Sequence, residues 1–453
     1  MIEPDTHRFI RAPHRTIAAL AVPVFFTMVA EPLTGLVDTA FVARLGVAPL
    51  AALGVAVAAL SSIFWVFNFL GIGTQTEVAQ ALGGEKVARA AQVTTLALYL
   101  SIGFGLLLIL VTPPWLEEIA SLLGASGTVQ EDAVAYMSVR LWGAPAILLT
   151  LTAFGALRGR QDMHTPLWIA LTVNGLNILL DGPLIFGLGP FPAWGIVGAA
   201  AASIIAQWIG ALLALLAVVR HFGWSRDVRL QDAIQLLKIG GDLFARTGLL
   251  TLFLLLTTRL ANQISPESGA AHQAIRQVWL FTAMGLDALA LTAQSLVGFF
   301  LGARQVGQAR RVAWLTAGWA VGLGMVLAAG MWVGQDLAAT WLVPPGATPP
   351  FYLAWLVAAA IQPLAALAFV TDGVHWGSGD FRFLRNAMLL STGIGCAVLL
   401  LIDPTRANAL AWLWGVIGLW NLLRAALGVV RIWPGIGRSP FRIVVQPSAT
   451  PLS

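Results

Sequence analysis

Charged residues are scarce in this sequence, since Asp, Glu, Lys and Arg make up only 10% of its 453 residues while hydrophobic residues make up 58%. A soluble globular protein carries about 25% charged residues. If this chain folded in water, it would have too few polar side chains to cover its surface. The shortage excludes a water-soluble globular fold, and we interpret the chain as an integral membrane protein.

Cysteine and clustered histidine are lacking as well. The single cysteine, Cys396, cannot form an internal disulfide framework, and its apolar surroundings in the sequence are typical of a small buried packing residue. The six histidines are scattered, with no spacing that would assemble metal ligands. These absences argue against a polytopic membrane enzyme, such as a prenyltransferase or an acyltransferase, and indicate no metal or cofactor.

Long apolar stretches predict an all-α polytopic fold with 12 transmembrane helices, because one span needs about 20 apolar residues. The predicted spans are 16–43, 49–78, 90–112, 134–157, 166–188, 194–219, 234–262, 271–300, 312–334, 352–375, 383–402 and 408–430. Alternate connections differ in positive charge, and the richer set includes both termini. By the positive-inside rule both termini are cytoplasmic. The formal net charge of +5 therefore indicates membrane orientation rather than a nucleic-acid partner.

The two halves of the chain resemble each other at an offset of about 218 residues. Segment 155–162 (GALRGRQD) aligns with 373–380 (GVHWGSGD), and Gln75 aligns with Gln294. We expect these glycines to allow a tight turn between packed helices, and the closing aspartates to cap the next helix. The predicted division is an N-terminal segment (1–15), an N-terminal lobe (16–220), a cytoplasmic linker (221–233), a C-terminal lobe (234–430) and a cytoplasmic tail (431–453).

Six spans per half give both halves the same orientation, related by an axis along the membrane normal. Parallel repeats of this kind are typical of transporters, with the substrate path between the two lobes. The duplication therefore predicts two pseudo-symmetric lobes and a transport function.

Asp38 lies inside a long apolar stretch, just after Pro32 and Gly35. A carboxylate within a membrane span is costly and is usually functional. Proline and glycine at the same point loosen a helix, as happens where a span lines a cavity. Asp38 is therefore the first candidate for a proton or ion site.

The fifth predicted span carries Asn174, Asn177 and Asp181, whose spacings of three and four place them on one helical face. Asp38 lies about 33 Å along its helix and Asp181 about 22 Å along its own, both entering from the cytoplasm. We expect both carboxylates in the outer half of the membrane. Interhelical hydrogen bonding is the alternative role for the asparagines, and an interfacial position is the alternative for Asp181.

Two carboxylates that approach each other in a low dielectric cannot both ionise easily, so such a pair would take up a proton from the outside. The same oxygens, with those of Asn177 and Ser203, are hard ligands that also suit Na⁺. The residue types alone leave H⁺ and Na⁺ open as the coupling ion.

Several linked motifs resemble one transporter family, multidrug and toxic compound extrusion (MATE). Segment 32–54 (PLTGLVDTAFVARLGVAPLAALG) resembles its first-helix signature, and 158–166 (RGRQDMHTP) resembles its loop before the fifth helix. Segments 241–246 (GDLFAR) and 369–382 (FVTDGVHWGSGDFR) are more similar to its DinF branch. The resemblance covers roughly residues 15–430.

The resemblance implies a V-shaped pair of six-helix lobes that exports organic, often amphipathic or cationic, solutes in exchange for H⁺ or Na⁺. It also implies an N-terminal-lobe site formed by Asp38, Asn177, Asp181 and Ser203, where Ser203 stands at a position that is often Thr in the family. The DinF-like motifs favour H⁺.

Other intramembrane residues have open roles. Glu31 either lines the cavity or pairs structurally, and Trp65 is a weaker candidate for an aromatic substrate cavity. Asp287 is either a site in the C-terminal lobe or, as we favour, a partner of Arg246. The aspartate at 372 lies near a predicted cytoplasmic helix end, which favours a solvated or loop-fixing role.

The offset of 218 residues places Leu256 opposite Asp38, so the second half carries no matching carboxylate. We therefore expect coupling in the N-terminal lobe. The predicted function is cation-coupled export across the cytoplasmic membrane by a lipid-embedded monomer, with a small organic substrate. A lipid or lipid-linked sugar flippase of the same wider superfamily is the alternative, which 12 spans and few intramembrane basic residues make less favourable.

Overall fold

The computed structural model describes residues 4–406 and 408–442, so residues 1–3 of the predicted N-terminal segment and 443–453 of the predicted tail lie outside it. Its described residues form 17 α-helices and no strand. The helices are α1 (Arg8–Arg11), α2 (Pro13–Ala43), α3 (Val47–Trp65), α4 (Asn68–Gly83), α5 (Val87–Val111), α6 (Leu116–Leu122), α7 (Thr128–Arg140), α8 (Ala144–Gly159), α9 (His164–Phe186), α10 (Ile196–Phe222), α11 (Leu230–Ile264), α12 (Pro266–Gly302), α13 (Val306–Val333), α14 (Gln335–Leu342), α15 (Thr348–Ser378), α16 (Phe381–Leu399) and α17 (Ala409–Ile432).

Each of the 12 predicted spans is helical, so the predicted all-α polytopic class is confirmed. In the described part of the chain, 11 segments are long and apolar enough to cross a membrane. Two of these segments combine a pair of helices, α3 with α4 and α7 with α8. The remaining predicted span, 383–402, corresponds to α16, which has 19 residues, begins with the polar sequence FRFLRN and is not among these 11 segments.

The fourth span begins earlier than predicted. It starts at Thr128 rather than at 134 and passes through a 3-10 turn, Leu141–Gly143, between α7 and α8. The difference arises because α7 mixes charged and apolar residues, so its hydropathy is too low to indicate a span. Arg140 is the last residue of α7 and lies well inside the fourth span, as it does in the predicted range 134–157.

Two compact units divide the chain. One comprises Ala18–Phe244, and the other comprises the chain on either side of it. The start of α2 therefore belongs to the unit outside Ala18–Phe244, together with α1. In that unit Phe9 of α1 is fully buried against the ring of Phe300 at 5.6 Å and beneath the guanidinium of Arg311. The start of α11 belongs to the unit Ala18–Phe244, where Nη1 of Arg89 contacts Oδ2 of Asp232 at 2.5 Å.

The duplicated glycines pack helix against helix rather than forming the turn, which in the second half is made by Gly379 with its left-handed φ of 75°. A Cβ added at Gly155 in α8 would lie 2.3 Å from the carbonyl oxygen of Gly71 in α4. A Cβ added at Gly373 in α15 would lie 2.2 Å from the carbonyl oxygen of Ala290 in α12. Small residues allow backbones to approach this closely at helix interfaces in membranes. The same contact therefore occurs in both halves of the repeat, at matching positions.

The aspartates that close the two motifs behave differently. Asp162 accepts hydrogen bonds from the backbone N–H and the hydroxyl of Thr165, at 3.0 and 2.6 Å, so its predicted capping role is confirmed. Asp380 makes no such capping bond and instead accepts one from Nε of Arg431 at 2.7 Å. The capping prediction for Asp380 is wrong, because an arginine from α17 occupies its carboxylate.

Candidate ion-binding site

Asp38 lies on α2, which is continuous across both of its internal prolines, Pro23 and Pro32. The hydroxyl of its neighbour Thr39 donates a hydrogen bond to the carbonyl of Gly35 at 2.7 Å, and the helix is unbroken at this position, where the sequence predicts a loosened helix. Asp38 is half-buried, 25 residues after the start of α2, or about 38 Å along the axis.

Helices α9 and α10 carry the other residues predicted for the site. Asn177 and Asp181 stand one turn apart on α9, and both are buried. Two backbone bonds hold the start of α10 against the end of α9: Trp194 N–H donates to Leu184 C=O at 3.0 Å and Gly195 N–H to Ile185 C=O at 3.1 Å. This hairpin brings Ser203, two turns into α10, to the face of α9 that carries Asn177.

These side chains form one connected group. Nδ2 of Asn177 lies 3.5 Å from Oδ1 of Asp181 and 3.4 Å from Oγ of Ser203, and it donates to both. The carboxyl groups of Asp38 and Asp181 lie within hydrogen-bonding reach of each other. The unit Ala18–Phe244 thus brings together all four residues predicted for the site in the N-terminal lobe.

Each of the two carboxyl groups has one oxygen without a donor in the described structure. Oδ1 of Asp38 and Oδ2 of Asp181 are buried and receive no hydrogen bond from any group in the described structure. If both groups were ionised, two oxygens in contact would repel each other with nothing between them. One shared proton would turn this contact into an O–H···O⁻ hydrogen bond, which is among the strong kinds. The arrangement is therefore chemically suited to hold one proton.

Two further polar residues that the sequence did not single out, Tyr136 and Arg140, interact with this pair, and Gln207 holds one of them. Nη1 of Arg140 donates to Oε1 of Gln207 at 2.6 Å. Arg140 also lies within hydrogen-bonding reach of the Tyr136 hydroxyl and within Coulombic range of Asp38. The available signal was the spacing of four between Tyr136 and Arg140, which places them on one face of α7.

The weaker candidates lie apart from these contacts. Glu31 is exposed on α2, and Asn174 is half-buried one turn before Asn177. Neither side chain makes a hydrogen bond or an ion pair within the residues that the structure describes. Trp65 is half-exposed at the last residue of α3.

A second buried charge cluster occupies the other compact unit. Asp372 accepts hydrogen bonds from Arg246 and from Nη2 of Arg424, the latter at 2.5 Å. Asp287 lies within Coulombic range of all three. The ion pair of Arg246 is therefore with Asp372 rather than with Asp287, and the solvated role expected for residue 372 is wrong because its carboxylate is buried between two arginines. The sequence did not single out Arg424, although it is a basic residue inside an apolar stretch.

Comparison with known proteins places the chain among membrane transporters. The MatE family profile matches residues 23–181 and 245–401. Protein DETOXIFICATION 44, chloroplastic, from Arabidopsis thaliana is 32% identical over 94% of this chain and 83% of its own length. DNA damage-inducible protein F from Escherichia coli K12 is 29% identical over 94% of this chain and 93% of its own length.

The fold is also similar to that of solved structures. A MOP superfamily transporter from Pyrococcus furiosus superposes with a TM-score of 0.84 over 93% of this chain and 96% of its own, at 20% identity. A structure described as MATE in the bent conformation gives a TM-score of 0.83 at 22% identity, over 93% and 96% of the two chains. This likeness confirms the predicted MATE fold.

Proposed function

Because the chain belongs to the MatE family of transporters, we propose that it exports small amphipathic or cationic organic compounds across the cytoplasmic membrane in exchange for a cation. Relatives named as detoxification and multidrug resistance proteins support this substrate class. The family is one of transporters, so the chain is not an enzyme. The observation that carries the proposal is the contact between the carboxyl groups of Asp38 and Asp181, each with a buried oxygen that lacks a donor.

Charge competition provides the coupling. A deprotonated pair attracts a cationic solute, because opposite charges interact strongly in a low dielectric. A proton arriving from the outside binds between Asp38 and Asp181, removes one negative charge and weakens that attraction, so the solute is released outward. The proton then leaves to the cytoplasm from the inward-facing state, and the pair is again free to bind solute.

The proposed membrane arrangement follows from the same reasoning. The protein is a monomer in the inner membrane with both termini cytoplasmic, the orientation favoured by the distribution of Arg and Lys among the connections. The lobes are residues 16–220 and 234–430, and Asp38 acts in the first of them.

Transport in proteoliposomes tests the proposal. Wild-type protein and Asp38→Asn are reconstituted, and efflux of a fluorescent organic cation is followed under an imposed H⁺ gradient or an imposed Na⁺ gradient. We expect the H⁺ gradient to drive efflux of the organic cation by the wild type, in exchange for protons. Asp38→Asn should lose this response. The matched control is Glu31→Gln, which removes an exposed carboxylate two turns earlier on α2 and should keep transport. Undiminished gradient-driven efflux by Asp38→Asn would overturn the proposal.

A further inference from the structure

We infer that Arg140 is a fixed cation that keeps Na⁺ from the Asp38–Asp181 pair and thereby restricts the coupling ion to H⁺. This inference rests on the proposed function of that pair and adds a residue that determines its ion specificity. It is carried by the position of Arg140 and by the donors and acceptors that surround the two carboxyl groups.

The position of Arg140 is fixed by its neighbours. Its guanidinium donates to Gln207 on α10 through Nη1 at 2.6 Å and reaches the hydroxyl of Tyr136, one turn earlier on α7. Gly143 provides the necessary space, since a Cβ added there would lie 3.0 Å from Oε1 of Gln207 and 3.3 Å from Nη1 of Arg140. The positive charge is therefore held in place 12 residues into the fourth span, about 18 Å along α7.

Few other charges face the pair. Asp38 comes from α2, Asp181 from α9, and Arg140 with Tyr136 from α7, while α10 contributes the neutral Ser203 and Gln207. Helix α3, which packs against α7, has no charged residue. Among these residues Arg140 is thus the cation within Coulombic range of Asp38, and it lowers the attraction that the pair exerts on any incoming positive ion.

This opposition affects the two ions unequally. A proton is held by a covalent O–H bond to one carboxyl and by a hydrogen bond to the other, and both partners are already within reach. Sodium would be held by electrostatic attraction alone and would have to separate the two carboxyl oxygens to enter between them. The amide of Asn177 turns its N–H donors, rather than its oxygen, toward Asp181 and Ser203. The site therefore offers a bridge for a proton but an incomplete shell of oxygens, beside a fixed positive charge, for Na⁺.

Sodium binding to the purified protein tests the inference without any transport step. NaCl replaces KCl at constant ionic strength and alkaline pH, and the midpoint of thermal unfolding is followed by tryptophan fluorescence. An ion that binds only the folded state raises this midpoint as the ion concentration increases. We expect no Na⁺-specific change in the wild type or in Arg140→Lys, which retains the charge.

Removal of the charge should create the missing affinity. In Arg140→Gln and in Arg140→Met we expect Na⁺ to stabilise the protein, with an apparent affinity at least about tenfold above that of the wild type, because a unit charge within Coulombic range of Asp38 acts strongly at an effective dielectric constant of about 20. The added substitution Asp38→Asn should abolish this gain, which assigns it to the carboxyl pair.

Two results would overturn the role of Arg140. One is Na⁺-specific stabilisation of the wild type that Asp38→Asn removes. The other is folded Arg140→Gln and Arg140→Met proteins that respond to Na⁺ no more than the wild type. Failure of the proposed antiport would be seen separately, as Asp38→Asn transport that matches the wild type.

Discussion

Arg424 donates a hydrogen bond through Nη2 to Oδ2 of Asp372 at 2.5 Å, and Arg246 donates to the same oxygen. One carboxylate thus compensates two guanidinium groups, each of which also has a buried Nε–H without a partner in the described structure. Arg424 further lies 4.4 Å from the ring centroid of Trp420, a favourable cation–π contact. Asp372 therefore holds together α11, α15 and α17, which carry these charges.

Asp372→Asn should destabilise the protein by about 3–5 kcal/mol, because the loss of one partner leaves buried charge uncompensated. Thermal unfolding of detergent-purified protein, followed by tryptophan fluorescence, measures this change. The matched control is Asp287→Asn, which lies near the same arginines but forms no ion pair in the described residues, and its effect should be clearly smaller. Equal melting of the two variants would contradict the assigned role of Asp372.

Gly155→Ala and Gly373→Ala should each destabilise the protein by about 1–3 kcal/mol or more, because the new methyl group would overlap a backbone carbonyl of the facing helix. Controls are Gly103→Ala and Gly322→Ala, where an added Cβ meets nothing within 4 Å. These controls should be neutral or slightly stabilising, since alanine favours helix over glycine. The measurement is the unfolding midpoint of all four variants. Similar midpoints for the tight and the open positions would disprove the packing role.

Local spacing explains why much of the candidate site could be predicted. Asn177 and Asp181 stand four apart in one apolar helix, so their shared face follows from helix geometry alone. Arg140 could not be assigned to the site in this way, because its approach to Asp38 depends on how α7 packs near α2, which no spacing within one helix reveals. The bond between Arg424 and Asp372 joins residues 52 positions apart and depends on how α15 and α17 pack, which no periodicity reveals.

Phe9→Ala should lower the unfolding midpoint, although Phe9 precedes the first span. Its ring is fully buried against Phe300 and beneath Arg311, so truncation leaves a cavity that costs roughly 3 kcal/mol. Arg11→Ala, an exposed change two residues later, is the control and should melt like the wild type. Limited proteolysis gives a second measurement, since cleavage near residue 12 should become faster in Phe9→Ala only. Unchanged melting and cleavage would show that this contact does not stabilise the fold.

Asn177→Ala should reduce H⁺-driven efflux much more than Asn174→Ala, although the two asparagines differ by less than one helical turn. Among the side chains of the described structure, Asn177 is the one that donates a hydrogen bond to the fully buried Asp181, whereas Asn174 bonds to no side chain there. Loss of the donor to a buried carboxylate costs about 1–3 kcal/mol, which corresponds to a fall of roughly fivefold to 150-fold in the initial rate.

Substitutions of Ser203 test whether the site needs the hydroxyl group itself or the serine side chain as a whole. It keeps an oxygen that can accept from Asn177 and should keep transport, while Ser203→Ala removes that oxygen and should lower the rate to a smaller extent than Asn177→Ala, because Asp181 retains its donor. Initial efflux rates at a fixed pH gradient, corrected for the amount of reconstituted protein, rank the four variants. Rates for Asn177→Ala and Asn174→Ala that coincide would show that the hydrogen bond to Asp181 takes no part in coupling.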